Sequence, residues 1–263
     1  MTKRCILFAC IFLCVFFSLY SKAESLIELS AGADPWPPYI DESLPLGGVS
    51  VQIADAALRT QGYTVKNRIL PWARAIEETK QARVDLILDA WWSKKRSEQF
   101  AFSRPYINGP VKFIKRKGDD FHYSDLTSLM GKSLVLVRDY AYGDELLNAK
   151  NYTPYEAHNF MQGIQMLVRN RVDLAIENEL VARTRIAQEA PELLHKIEFA
   201  QEPLSDNYVF LMASYKHPKH AEIIGAFNRG LTIILENGTY QKILIENKLE
   251  VPKMFNSVVP KLK

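Results

Sequence analysis

The chain has 263 residues, 48% hydrophobic and 24% charged, with a formal net charge of +3. That length suffices for one large domain or for two lobes with cores of their own. Three of the 33 Lys and Arg (Lys3, Arg4, Lys22) and none of the 30 acids precede Glu24, so the remainder is formally neutral. Nothing in this balance suggests a nucleic-acid partner, which requires a concentrated basic face, and "KFIKRK" at 112–117 reads as a short solvated edge.

Lys3-Arg4, the apolar run 5–20 and "SKA" at 21–23 have the basic, apolar and small-residue order of a cleaved secretory signal peptide. The run is short for a membrane span of about 20 residues. All three cysteines (Cys5, Cys10, Cys14) lie within it, so the mature chain is expected to carry no disulfide or thiol chemistry.

Beyond the leader, short aliphatic runs alternate with longer amphipathic ones, the pattern of an α/β fold. "LIELS" (26–30) predicts a strand. Residues 49–62 predict a helix that follows Gly47-Gly48 and stops at Gly62, and 72–82 predict another that leads into the strand "VDLIL" (84–88). "SLVLV" (133–137), "VDLAI" (172–176) and "YVFLMA" (208–213) predict further strands. Residues 218–237 predict a long helix with Pro218 in its first turn.

Residues 72–89 and 160–177 align without a gap, sharing Arg-Val-Asp-Leu at 83–86 and 171–174, with Asp89 opposite Glu177. The repeat argues for two lobes built on one helix–strand unit. Ligands of open α/β sheets bind beyond the carboxyl ends of strands, which places Asp89 and Glu177 at an inter-lobe cleft. Either acid suits a ligand ammonium; the competing role for each is at a helix start, where Asn178 also serves as an N-cap. All four tryptophans fall between 36 and 92, near strand-to-helix junctions, where rings grip planar or cationic groups. Of the adjacent pair, Trp91 is assigned to the cleft and Trp92 away from it.

"DPWPPY" (34–39), the Gly-led helix at 48–61, "RVDLIL" (83–88), "KKRSEQFAFSRPY" (94–106), "NRVDLAIENE" (170–179) and "NGTYQKILIEN" (237–247) together resemble the bacterial extracellular solute-binding proteins of family 3. That family includes the polar amino-acid receptors of ABC importers. The resemblance implies a two-lobed type II periplasmic-binding fold with two crossing strands, here near 110–116 and 205–213. It divides the chain into a signal peptide (1–23), a discontinuous first lobe (24–112 and 207–263) and a second lobe (113–206). It implies a monomeric periplasmic receptor for a small polar, carboxylate-bearing ligand, with an ABC-type permease as partner and no cofactor or metal.

Carried over by position, Arg96 clamps the ligand carboxylate, with Lys94 and Lys95 as solvated neighbours. Trp36 and Trp72 contact the ligand side chain, and Tyr39 belongs to the same first loop. Arg74 offers a second anion contact or a solvated helix face. The chain also departs from the family pattern. Asp89 and Trp91 stand where amino-acid receptors have small hydroxyl residues, Asn178 where a second-lobe aspartate is common, and Tyr140-Ala141 where a hydroxyl-bearing pair is usual. Gln52 replaces an acid. A receptor is the leading expectation; an enzyme on the same scaffold, of the cyclic-carboxylate dehydratase type, and a receptor for a membrane sensor are the alternatives. "GKS" at 131–133 lacks the upstream glycine of a P-loop, and "HPKH" (217–220) reads as a solvated helix start.

Overall fold

Two copies of one helix–strand unit organise the chain. The computed structural model describes residues 25–249. The expected signal peptide lies outside them, as do the last residues of the expected second segment of lobe 1. On the N-terminal side, β1 (Ile27–Ala33), α1 (Val49–Arg59), β2 (Tyr63–Ile69), α2 (Trp72–Lys80) and β3 (Ile87–Trp91) precede the short α3 (Lys94–Ser97) and β4 (Phe100–Phe102). The long β5 (Ile107–Arg116) leads to β6 (Ser133–Val137), α4 (Asp144–Asn148), β7 (Thr153–Ala157), α5 (Phe160–Val168), β8 (Leu174–Asn178) and α6 (Glu179–Glu189). The chain returns through β9 (Ile197–Phe199) and the long β10 (Ser205–Ser214) to α7 (His220–Glu236) and α8 (Thr239–Glu246).

β1 and β2 pair in parallel, and Ala31 bridges to Leu86 just before β3. The larger sheet runs β3-β10-β5-β8-β6-β7, with β4 on β10 and β9 on β5. β5 and β10 are antiparallel to one another, from Ser205 opposite Val111 to Val209 opposite Ile107. β10 meets β3 through Val209, Phe210 and Met212, and β5 meets β8 through Val111–Ile114. The two ten-residue strands therefore belong to both lobes, as expected for crossing connections, and they make lobe 1 discontinuous.

The repeat has a concrete local cause. In the first copy, Ser30 donates its N–H and its hydroxyl to Asp85 Oδ2, both at 2.7 Å. In the second, Ser133 donates the same two groups to Asp173 Oδ2 at 2.8 and 2.6 Å. Ala82 and Asn170, at equivalent places, both take left-handed backbone (φ 54° and 57°). Arg-Val-Asp thus spends its residues on a turn, and each strand begins two or three residues later than predicted. β3 is Ile87–Trp91 rather than 84–88, and β8 is Leu174–Asn178 rather than 172–176. Asp89 and Glu177 consequently sit inside fully buried strands and not beyond their ends.

Three other expectations change. The run 112–117 is no solvated edge. Lys115 is buried and donates to the carbonyls of Asp119 and Phe121, Arg116 donates to those of Leu167 and Val172, and Lys112 pairs with Glu179 at 2.8 Å. These bonds tie β5 to its neighbours. His217 is likewise engaged, its Nε2 lying 3.0 Å from Asp85 Oδ1. Pro218 precedes the long helix, which starts at His220.

Candidate functional site

Loops at the strand ends deliver the functional side chains. After β1, the segment Asp34–Ile40 folds back on itself, Trp36 N–H donating to the Ile40 carbonyl at 2.7 Å. Gly48 fixes this turn against the start of α1. Its φ is +100°, and a Cβ there would lie 2.4 Å from the Tyr39 carbonyl oxygen, so only glycine permits the approach. Ser93 caps α3 by accepting from Arg96 N–H, which turns the arginine side chain inward. From the other lobe, the loop after β6 contributes Asp139, Tyr140, Ala141 and Tyr142, and β8 contributes Glu177 and Asn178.

These elements meet on one cavity lined by Asp34, Trp36, Trp72, Asp89, Trp91, Arg96, Tyr140 and Ala141. Its free space for water centres is about 20 Å³, room for about one water molecule. The lobes are closed on each other by their own groups. Arg96 Nη1 donates to the Trp91 carbonyl and Nη2 to the Asp139 carbonyl, each at 2.6 Å. Trp72 Nε1 donates to the same Asp139 oxygen at 3.1 Å. Trp36 Nε1 donates to Glu177 Oε1 at 3.3 Å, and Tyr140 Oη to Asp34 Oδ2 at 3.1 Å. Aromatic edges reinforce the closure, Tyr140 packing on Trp72 and Trp91 with centroids 5.7 and 5.6 Å apart; within lobe 1, Trp36 packs on Trp91 at 5.8 Å. The Arg96 guanidinium lies 5.1 Å from the Trp72 ring centre.

The electrostatics are dominated by desolvation, which disfavours every charged form. Burial lowers the Arg96 pKa to about 10, even with acidic neighbours opposing the shift. Asp34 is raised to about 6 by burial, against the nearby Arg185 charge and the Tyr140 hydrogen bond. Glu177 is raised to about 7, again by burial, although it accepts from Asn178 N–H and from Trp36. Asp89 is raised well above the carboxylate range by burial and then by Asp34. Oδ1 of Asp89 and Oε2 of Glu177 are buried without a hydrogen-bond partner. The described residues contain no group of three or more His, Cys, Asp or Glu arranged to hold a metal ion.

Of the residues singled out in the sequence, Trp36, Trp72, Asp89, Trp91, Arg96 and Tyr140 share the cavity. Trp91 is 5% exposed and Trp92 42%, so the first of the pair is the inward ring. Glu177 sits behind Trp36, held by its indole. Tyr39 packs on Trp36 at 4.9 Å, and with Asn178 it lines a separate groove at the crossing strands. Asn178 also caps α6, accepting from Val181 N–H, and it leaves no room for a side chain at Gly109, where a Cβ would lie 2.4 Å from its amide. Arg74 stands apart: its side chain is 64% exposed and faces Glu78 at 3.7 Å.

Asp34, on the cavity wall, and the Asp139 carbonyl, which accepts from Arg96 and Trp72, are not among the residues the sequence singled out. Asp34 sits directly after β1, the same strand-end location that drew attention to Asp89 and Glu177, so its signal was present. The Asp139 carbonyl carried no signal, because a backbone oxygen is common to every residue.

Two α/β lobes joined by paired crossing strands and closed over a polar, aromatic-walled cavity define a hinged ligand-binding protein. The model for "Bacterial extracellular solute-binding proteins, family 3" matches residues 29–247, and the chain belongs to that family. It is similar to an arginine-binding periplasmic protein of Mannheimia haemolytica, 25% identical over 92% of this chain and 95% of that protein. Among solved structures it resembles an ancestral arginine-binding protein bound to arginine (TM-score 0.71, 21% identity, 84% of this chain and 98% of that one). It also resembles a histidine kinase sensor domain similar to periplasmic binding proteins (TM-score 0.72, 22% identity, 86% and 98%). At these identities the solved structures speak for the fold.

Proposed function

We propose that the protein is a periplasmic receptor that captures a small carboxylate-bearing, amino-acid-like solute and delivers it to an ABC-type permease. The observation that carries this reading is the buried Arg96 fork, reaching from lobe 1 to a backbone oxygen of lobe 2. A ligand carboxylate that takes the place of the Asp139 carbonyl would join the lobes through the same guanidinium, by stronger charge-assisted bonds. The arginine-binding relative and the family membership support an amino-acid ligand.

In this reading Trp36, Trp72, Trp91 and Tyr140 enclose the ligand body, with Asp89 and Glu177 on its polar side. Tyr39 and Asn178 act from the hinge, and Arg74 stays outside the binding step. Lobe 1 comprises 24–112 and 207–263 and lobe 2 comprises 113–206, the crossings at β5 and β10 supporting that division. Residues 1–23 are removed on export, and the mature protein acts as a monomer. The receptor binds without transforming its ligand.

The test is a thermal-shift screen of purified protein against amino acids, small carboxylates and diamines. A ligand at a hundredfold excess over its Kd adds about 2.7 kcal/mol. For a chain of this size that raises the midpoint by roughly 5–10 °C. The bound compound is then recovered and weighed by mass spectrometry: unchanged mass supports a receptor, and a product would establish an enzyme. If no amino acid shifts the midpoint, the amino-acid reading fails.

A further inference from the structure

Asp34, directly after β1, and Asp89, in the middle of the neighbouring β3, face one cavity, each only 7% exposed. Neither has a cation of its own. Asp34 Oδ2 accepts from the Tyr140 hydroxyl, while Asp89 Oδ1 is buried and unpartnered. Arg96, the cation on the cavity wall, spends its fork on two carbonyls. The other groups facing the pair are Tyr140 and Tyr142 from the loop after β6, Glu177 on β8, Arg185 on α6 and Tyr106 before β5. Arg185 is turned to Glu189, its Nε 2.9 Å from that carboxylate. Two desolvated carboxyls in this setting do not both ionise, so the closed cavity holds a proton on the pair, in keeping with the upward shift of both acids. The remaining walls are the indoles of Trp36, Trp72 and Trp91.

We propose that Asp34 and Asp89 form a subsite for an N–H-bearing organic cation of the ligand, which enters in exchange for the proton held by the pair. This rests on the receptor reading and adds the second end of the ligand. On binding, one carboxyl O–H bond breaks and its proton leaves to solvent. The resulting carboxylate accepts hydrogen bonds from the incoming ammonium or guanidinium, and the charge of the cavity is unchanged. The unpartnered Asp89 oxygen gains its donor. The indole faces add cation–π attraction, which is strongest where water is excluded.

The experiment is calorimetric titration at pH 6.0 in two buffers of different ionisation enthalpy, with L-lysine, L-arginine, 1,4-diaminobutane and L-glutamine as probes. At least one cationic probe is expected to release close to one proton per molecule bound. Its affinity is expected to rise by up to about tenfold per pH unit between pH 5 and 6. Asp89→Asn is expected to bind it more weakly and with no proton release. A cation that binds without releasing a proton overturns the exchange, as does an Asp89→Asn variant that still releases one. Should that variant not fold, the wild-type proton count decides. Glutamine binding with no cation binding overturns the subsite and leaves the receptor reading intact. Silence from all four probes overturns the subsite, and the wider amino-acid screen then judges the receptor reading separately.

Discussion

Arg96 donates to the backbone oxygen of Asp139 at 2.6 Å, so a guanidinium from one lobe holds the main chain of the other. Trp72 donates to the same oxygen, and Asp139 itself takes left-handed backbone (φ 62°) to present it. In the proposed binding mode, the carbonyl holds the acceptor position that a ligand carboxylate takes. On that proposal, ligand entry displaces the loop 138–142, and affinity is the difference between two sets of bonds to the same arginine.

Arg96→Ala should weaken binding of a carboxylate ligand by about 2–5 kcal/mol, the usual cost of truncating one partner of a buried charge pair. That is roughly 30- to 4,000-fold. Arg96→Lys should restore little, because an ammonium has no planar fork. Lys94→Ala, an exposed neighbour, should change affinity by less than about threefold. Calorimetric titration of the three variants decides it; equal affinity for Arg96→Ala and Lys94→Ala would discard the clamp.

Tyr140→Ala should open the unliganded protein. It removes two aromatic edge contacts, worth about 0.5–1.5 kcal/mol each, and the bond to Asp34. Small-angle scattering should show a larger radius of gyration than in the wild type. Tyr140→Phe keeps both ring contacts and should stay compact. An unchanged radius in Tyr140→Ala would mean that Arg96 and the tryptophans close the cleft without it.

Glu177 gives a pH dependence of defined sign. Its pKa is raised from 4.5 to about 7 by burial, so the native state holds the proton more tightly than the unfolded state. The stabilisation is complete below about pH 4.5 and is lost as pH rises through about 7. At full ionisation the loss is on the order of 3 kcal/mol. Glu177→Gln removes this dependence, so its melting midpoint should gain on the wild type between pH 5 and 8. Parallel curves for the two proteins would refute the shift.

Asp85→Ala and Asp173→Ala should destabilise the fold by similar amounts, about 1–3 kcal/mol each, since each leaves paired serine donors without their acceptor. Each acid also faces a basic group, His217 at 3.0 Å and Arg116 at 3.6 Å. Urea unfolding monitors both. A large loss at one site and none at the other would break the equivalence of the two repeats.

The sequence by itself determined the α/β class and the duplicated helix–strand unit, because periodicity and self-similarity are local properties that survive any later packing; the crossing strands followed from the family resemblance alone. Asp89 and three of the four tryptophans, singled out by their place near strand ends, and Arg96, singled out by the family resemblance, do share one cavity. Tertiary structure decided the rest. The adjacency of Trp91 and Trp92 says that the two rings diverge; only the pairing of Trp91 with Val209 of β10 selects which one turns inward. Arg-Val-Asp looked like the start of a strand until Ser30 and Ser133, far away in the chain, claimed the aspartates as turn acceptors. The contact between Arg96 and Asp139 spans 43 residues and ends on a backbone oxygen. No side-chain pattern encodes such an acceptor: its position is fixed only when the two lobes close.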